Sequence, residues 1–418
     1  FLSNFSEFGR SWKPLMGGLV GAGCGITSLL FYTHGIFVVS ISNDMNWSRG
    51  AVQFGFTLMS LMTLVTAPTV GWLTDKYGAR IVALTSLVGM MIGCVALSLT
   101  GDTITSYYMG WILVAILGAG TLPITWTSVI NHWFTKNRGL ALGITLSGTG
   151  IAASIAPAYA SWLIAIFDWR SAYLLLGATA IAIALPIVYV FFHSPNTPSD
   201  NKTGGQSSLI ETGLTLRAAL SSYKFWILAV SIFCVAGSIS GLITNVVPLL
   251  IDKGITVKEA SAFAGLIGIS VIIGRLGIGY LVDRIWAPFI AALFLSMPAL
   301  GALLLMGAAL ETSMISLSII LIGLAAGAEI DLVAYLSSRY FGLKSYGKIY
   351  GVLLMVFSVS AGLAPTVFGM SFDHYGNYGV ILPIAALLSF VGGALMLFLG
   401  AYPQFDVVTQ PYDTPLES

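Results

Sequence analysis

Long apolar blocks separated by short polar segments run through the whole chain. Each block holds about 20 or more mostly apolar residues, the length that an α-helix needs to cross about 30 Å of hydrocarbon. Twelve such blocks can be read along the 418 residues, among them 14–41 and 106–131. The pattern predicts an all-α membrane protein with twelve transmembrane helices.

One long polar segment, 194–224, interrupts this pattern and is rich in serine, glycine, proline and asparagine. Such a composition is typical of a flexible linker. We therefore predict an N-terminal six-helix bundle over 1–193, a cytoplasmic linker over 194–224, a C-terminal six-helix bundle over 225–402, and a cytoplasmic tail over 403–418.

The two predicted bundles repeat each other at a constant spacing. Three residue pairs lie 208 positions apart: Asp75 and Asp283, Gly143 and Gly351, and Pro157 and Pro365. A shared offset of nearly half the chain indicates an internal duplication. Paired halves of this kind are typical of alternating-access transporters, in which the substrate lies between the halves near the midplane.

Composition supports the membrane class, and the placement of lysines and arginines indicates how the chain is oriented across the membrane. The chain is 57% apolar and only 8% charged, whereas soluble domains are about 25% charged. If both termini are cytoplasmic, 13 lysines and arginines lie in inner segments and 4 in outer loops, as the positive-inside rule requires. This predicts an N-in, C-in protein of the inner (cytoplasmic) membrane. No basic cluster suggests nucleic-acid binding, and no cysteine and histidine spacing suggests a metal site.

Arg275 is the most informative residue because it lies inside an apolar run, 264–281. An arginine near the middle of a membrane helix costs about 3 kcal/mol on insertion scales, so it normally faces a wet cavity or a partner. Its planar guanidinium offers two parallel donors that fit a carboxylate. We therefore expect Arg275 to bind an organic anion.

Two carboxylates, Glu329 and Asp331, lie in the tenth apolar block at a depth similar to that of Arg275. Residues two apart on a helix point in nearly opposite directions, so only one of the two is expected to meet Arg275 or the cavity. A carboxylate in an apolar cavity binds a proton more readily than one in water. Both are therefore proton-coupling candidates, and the sequence leaves open which one carries the proton; a static ion pair is the alternative.

Further polar and aromatic residues fall inside predicted spans and are candidates for substrate binding, each with an ordinary structural role as the alternative. They are His34, Asn245, Tyr32, Trp126 and Tyr335. The histidine could bind the anion or relay a proton. The aromatic rings could stack on an aromatic substrate.

The segment 71–80, which reads GWLTDKYGAR, resembles the loop signature between helices 2 and 3 of the major facilitator superfamily, except that Ala79 replaces a common basic residue. The resemblance extends over all twelve helices. It implies the major facilitator fold and charge contacts that hold one conformation closed, involving Asp75, Arg80 and Asp283.

Finer features are similar to the monocarboxylate transporters and oxalate/formate antiporters of that superfamily. These are the segments 46–49 (NWSR), 132–143 (HWFTKNRGLALG) and 168–171 (DWRS). The resemblance implies that Arg275 pairs with the substrate carboxylate. Three features differ from the relatives: Val271 replaces an aspartate, His34 replaces a lysine, and helix 11 lacks a lysine.

These features predict a secondary transporter of small organic carboxylates, monocarboxylate or aromatic, with proton-coupled uptake by alternating access. We expect a monomer in the lipid bilayer that needs no cofactor or metal and is not an enzyme. Two alternatives remain: an organic-anion exchanger, and a non-transporting sensor of the same fold.

Overall fold

A computed structural model describes residues 6–134, 138–194, 213–282, 284–307, 311–342 and 344–403. In this part of the chain, eleven helices are long and apolar enough to cross a membrane, and a shorter apolar helix, Ile104–Leu117, begins a twelfth span. The N half consists of α1 (Glu7–Met45), α2 (Arg49–Tyr77), α3 (Ala79–Ser98), α4 (Ile104–Leu117, continued by Pro123–Trp133), α5 (Arg138–Ile166) and α6 (Trp169–Phe191).

The C half follows the same plan after a short helix, Leu216–Leu220. It consists of α7 (Tyr223–Asp252), α8 (Val257–Leu281), α9 (Ala287–Leu304), α10 (Thr312–Phe341), α11 (Tyr346–Tyr375) and α12 (Ile381–Leu395). The predicted all-helical membrane architecture is therefore confirmed.

Two spans that the sequence predicts as continuous are broken, and the breaks meet. In α1 a π-helical turn covers Ile26–Leu30, and α4 is interrupted before Pro123, whose missing N–H suits the start of a new helix. The Ile26 N–H donates to Thr121 Oγ1 at 3.1 Å. The side-chain oxygen at one break thus satisfies a backbone group at the other, which a hydrocarbon environment requires.

The halves pack against each other through three helix pairs: α2 with α11, α5 with α8, and α1 with α7. Glycines allow this close approach. A Cβ atom on Gly265 of α8 would lie 2.7 Å from the Ser154 carbonyl oxygen of α5, and a Cβ on Gly362 of α11 would lie 2.7 Å from the Ser60 Cβ of α2. Small residues let membrane helices approach closely without steric clash.

The two ends of the bundle differ. At the end that carries Arg49 and Asp252, which we call the gate end, hydrogen bonds connect the halves. At the opposite end, which we call the open end, no described residue from another element comes within 4 Å of where a Cβ would lie on Gly143 of α5 or Gly351 of α11. These two glycines are one of the three pairs that repeat at the 208-residue spacing, and both face space that no described residue fills.

Candidate functional site

Arg275 lies on the face of α8 that packs against α5. Its Nη1 donates to the Leu146 carbonyl oxygen of the N half at 2.7 Å. Its Nε lies 3.4 Å from Asp331 Oδ2 of α10, and 12% of its side chain is exposed. The Nε proton forms no hydrogen bond with good geometry to any described residue, so charge attraction rather than a well-aligned hydrogen bond joins the ion pair.

The Leu146 carbonyl can be reached because α5 and α8 are in close contact one turn further along. Gly150 of α5 lies there, where a Cβ would be 2.9 Å from the Gly268 carbonyl oxygen of α8. The same Leu146 oxygen also accepts a hydrogen bond from Thr149 Oγ1 at 2.8 Å. Arg275 therefore touches both halves of the protein at once.

The two carboxylates of α10 occupy different environments, as their two-residue spacing requires. Asp331 has 33% of its side chain exposed and forms the ion pair with Arg275. Glu329 is 4% exposed, and its Oε1 has no hydrogen-bond partner among the described residues. The structure thus pairs Asp331 with Arg275 and leaves Glu329 buried, with no ion pair to a described residue.

Two tyrosines lie near these charges, one from each half. Tyr32 of α1 is partly exposed and within electrostatic range of Arg275 and Glu329. Tyr350 of α11 is within electrostatic range of Asp331 and stacks on Tyr346, with ring centroids 5.5 Å apart. Tyr350 is not among the residues that the sequence pattern singles out; its signal is a pair of tyrosines four apart in the glycine-rich start of helix 11.

His34 and Asn245 contact residues other than the charged ones of this group. His34 is 1% exposed, and its ring packs against Phe56 and Trp111 at centroid distances of 5.0 and 5.3 Å. Asn245 Oδ1 accepts a hydrogen bond from Gln53 Nε2 at 2.9 Å, between the halves. In this conformation Asn245 is engaged in the interface between the halves and not beside Arg275.

Two aromatic candidates, Trp126 and Tyr335, form hydrogen bonds to backbone carbonyl groups. Trp126 is completely buried within the N half, where Nε1 donates to the Thr121 carbonyl oxygen at 2.9 Å. Its ring has no exposed surface to offer a substrate. Tyr335 donates to the Val282 carbonyl oxygen at 3.2 Å, linking α10 to the end of α8 within the C half. Trp126 is thus enclosed in helix packing, whereas Tyr335 is only partly buried and stays a substrate candidate.

A family model described as the Major Facilitator Superfamily matches residues 20–365. The chain belongs to this superfamily. It is therefore a multi-pass membrane transporter and not an enzyme. The fold agrees with a solved bacterial homologue of the human lysosomal transporter Spinster, in an inward-facing and unoccupied conformation: the TM-score is 0.66 at 21% identity, covering 93% of this chain and 94% of that one.

Two curated relatives in the superfamily are named for acidic substrates. Monocarboxylate transporter 11 of Homo sapiens is 24% identical over 354 residues, covering 80% of this chain and 71% of that protein. A probable sulfoacetate transporter of Cupriavidus necator is 24% identical over 370 residues, covering 79% of this chain and 80% of that protein. The chain is thus similar in sequence to monocarboxylate transporters, as its motifs indicated.

Two of the three gating charges that the superfamily resemblance implies, Asp75 and Arg80, lie at the open end. Asp75 is exposed and forms no ion pair with a described residue. Arg80 stays within the N half, where it donates to the Tyr189 carbonyl oxygen and lies 4.9 Å from the Tyr189 ring centroid. Asp283 lies outside the described residues. No charge contact between Asp75 and a described residue closes this end, in agreement with its open glycine faces.

Proposed function

We propose that this transporter carries a small organic carboxylate across the cytoplasmic membrane together with protons, by alternating access. The observation that carries the proposal is the position of Arg275, a fixed cation that contacts both halves. With both termini inside, the gate end faces outward and the open end faces the cytoplasm. The conformation is then open to the inside.

The guanidinium is suited to receive an anion because its present contacts are weaker than those a substrate would provide. Asp331 approaches only Nε, at 3.4 Å, and its carboxylate is one-third exposed. A substrate carboxylate that approaches the fork of the guanidinium could form two parallel charge-assisted hydrogen bonds. Because arginine keeps its charge at all accessible pH values, the anion site does not depend on proton uptake by the arginine itself.

Glu329 is the better candidate for the coupled proton. An ionised carboxylate that is buried without a partner is very unfavourable, and Glu329 is buried with Oε1 unpaired. A neutral, protonated Glu329 avoids that cost. In the proposed cycle, the proton and the anion enter from the gate end, the halves rock, and both leave at the open end, where the proton returns to water.

The substrate is proposed to carry one acidic group and a small organic body. Arg275 is a single cation, and Tyr32 and Tyr350 supply aromatic surface near it. The relatives named for monocarboxylates support this acid class, whereas sulfoacetate carries a sulfonate beside its carboxylate, so the relative named for it supports only the broader class of small organic acids. A second acidic group would lack a matching cation in the group of residues around Arg275.

The test is uptake of labelled monocarboxylates into proteoliposomes by the wild type, Arg275→Lys and Arg275→Ala. Both variants should lose uptake while remaining monodisperse and membrane-inserted, because neither offers the planar fork. Lys258→Gln, at an exposed position of the gate end, is the matched control and should transport normally. Undiminished uptake by Arg275→Ala would refute the assignment.

The same vesicles separate symport from exchange. Proton-coupled uptake should respond to an imposed pH gradient and collapse with an uncoupler. Uptake that ignores the uncoupler but requires internal anion would favour the exchanger. A sensor of the same fold would bind carboxylates without moving them.

A further inference from the structure

Arg49 is held at the start of α2 by the turn that follows α1. Asn46 adopts a left-handed conformation with φ of 54°, and Ser48 caps α2 by accepting a hydrogen bond from the Ala51 N–H at 3.2 Å. Arg49 then forms a two-pronged contact with Asp252 of the C half: Nη1 lies 2.5 Å from Oδ2, and Nη2 lies 2.8 Å from Oδ1. The NWSR segment thus delivers a guanidinium to the opposite half.

A second carboxylate from the C half completes the contact. Asp373 of α11 accepts hydrogen bonds from the Arg49 N–H at 2.9 Å and the Gly50 N–H at 2.7 Å. These are free N–H groups of the first turn of α2, where a negative charge is also favoured by the helix dipole. The N-terminal cap of a helix in one half is therefore supplied partly by the other half.

Neutral groups extend the contact towards the interior. Tyr378 accepts a hydrogen bond from Arg49 Nη1 at 3.1 Å and donates to Asn245 Oδ1 at 3.3 Å. Asn245 Oδ1 in turn accepts the hydrogen bond from Gln53. Among these contacts between the halves, the N half supplies the donors and the C half supplies the acceptors. When the halves separate, the donors of the N half and the acceptors of the C half can each form hydrogen bonds with water instead.

Residues of the DWRS segment hold the N-half side of this contact in place. Asp44, in the last turn of α1, accepts hydrogen bonds from Trp169 Nε1 at 2.9 Å and from Arg170 Nη1 at 2.8 Å. The Arg170 guanidinium also lies 4.1 Å from the Trp169 ring centroid. These hydrogen bonds connect the end of α1 to the start of α6, so they restrict the movement of the turn that carries Arg49.

We infer that Arg49 is the centre of a gate that Asp252 and Asp373 close, and that Asp44, Trp169 and Arg170 are the residues that position it. These contacts must break before the transporter can reach the conformation that is open at the gate end. The gate residues touch neither Arg275 nor its partners, so the inference does not depend on the identity of the substrate.

The experiment measures the distance across the gate end by double electron–electron resonance. Spin labels at Asp102→Cys of the N half and Lys258→Cys of the C half, both exposed, are placed in a background whose native cysteines are replaced by serine or alanine. The labelled parent should show mainly the short distance of the closed gate. Asp373→Asn and Arg49→Gln should each enlarge the long-distance population relative to the short one by about tenfold.

Two further variants separate a gate from a general loss of structure. Glu311→Gln changes an exposed carboxylate at the same end that takes no part in these contacts; its distances should match the parent. Arg49→Asp should open the gate, and Arg49→Asp combined with Asp252→Arg should restore the short distance. Unchanged distances in Asp373→Asn and Arg49→Gln would overturn the inference, as would failure of the exchanged pair to restore closure. Substrate transport is not needed for this readout.

Discussion

Arg275 in the C half donates a hydrogen bond to the Leu146 carbonyl oxygen in the N half at 2.7 Å. A residue expected to bind the substrate therefore also joins the two bodies that must move. When an anion occupies the guanidinium fork, fewer donors remain for Leu146 and Asp331. Binding can in this way change the contact between α5 and α8.

Replacing Glu329 with glutamine should uncouple transport from the proton gradient. Glutamine is neutral, like the protonated glutamate, but it cannot release a proton. Exchange of labelled for unlabelled carboxylate should continue, whereas accumulation driven by an inward proton gradient should fall by at least about tenfold. Both are measured in proteoliposomes. Glu311→Gln, an exposed change at the gate end, should accumulate normally; preserved accumulation in Glu329→Gln would assign the proton elsewhere.

Replacing Asp331 with asparagine should strengthen anion binding. The change removes the negative charge that lies 3.4 Å from Arg275 Nε, so a substrate carboxylate no longer competes with it. We expect the half-saturating substrate concentration to fall about fivefold, together with a lower maximal rate because release slows. Uptake is measured over a series of substrate concentrations for Asp331→Asn and for the control Asp102→Asn, which changes an exposed aspartate and should behave like the wild type. A higher half-saturating concentration in Asp331→Asn would show that the aspartate supports binding.

Two glycines on α8 should respond oppositely to alanine. A Cβ on Gly265 would lie 2.7 Å from the Ser154 carbonyl oxygen, whereas a Cβ on Gly277 would meet nothing within 4 Å. Gly265→Ala should lower the free energy of unfolding by roughly 1–3 kcal/mol, because it overpacks the interface. Gly277→Ala should raise the free energy of unfolding by up to about 1 kcal/mol, because alanine has the higher helix propensity. Thermal unfolding in detergent and uptake rates are measured for both variants. Equal unfolding temperatures in Gly265→Ala and Gly277→Ala would contradict the close α5–α8 contact.

Tyr32 and Trp126, both substrate candidates in the sequence, should behave differently. Tyr32→Phe removes a hydroxyl near Arg275 and Glu329 and should change the relative uptake of different carboxylates. Trp126→Phe removes a buried hydrogen bond to Thr121; it should lower the unfolding temperature and leave the substrate preference unchanged. A competition panel of aliphatic and aromatic acids measures the preference. A shifted preference in Trp126→Phe would show that its ring meets the substrate in another conformation.

Several features follow from local sequence and agree with the structure. Apolar block length predicts membrane helices because each helix satisfies its own backbone in hydrocarbon. The same reasoning identifies Arg275, since a charge inside an apolar run is visible in the sequence and needs a cavity or a partner in any fold. Local sequence does not predict the breaks in α1 and α4, because the Ile26–Thr121 hydrogen bond that joins them connects residues 95 positions apart.

The sequence by itself determined the helical membrane class, the superfamily motifs and the presence of one arginine and two carboxylates within the apolar spans. Only the tertiary structure decided that Asp331 and not Glu329 pairs with Arg275, because that choice depends on how α10 is rotated against α8. It also decided that Leu146, 129 positions from Arg275, accepts its hydrogen bond, and that Arg49 meets Asp252 across 203 positions. Composition and periodicity describe one segment at a time, whereas these contacts arise from the packing of one segment against another.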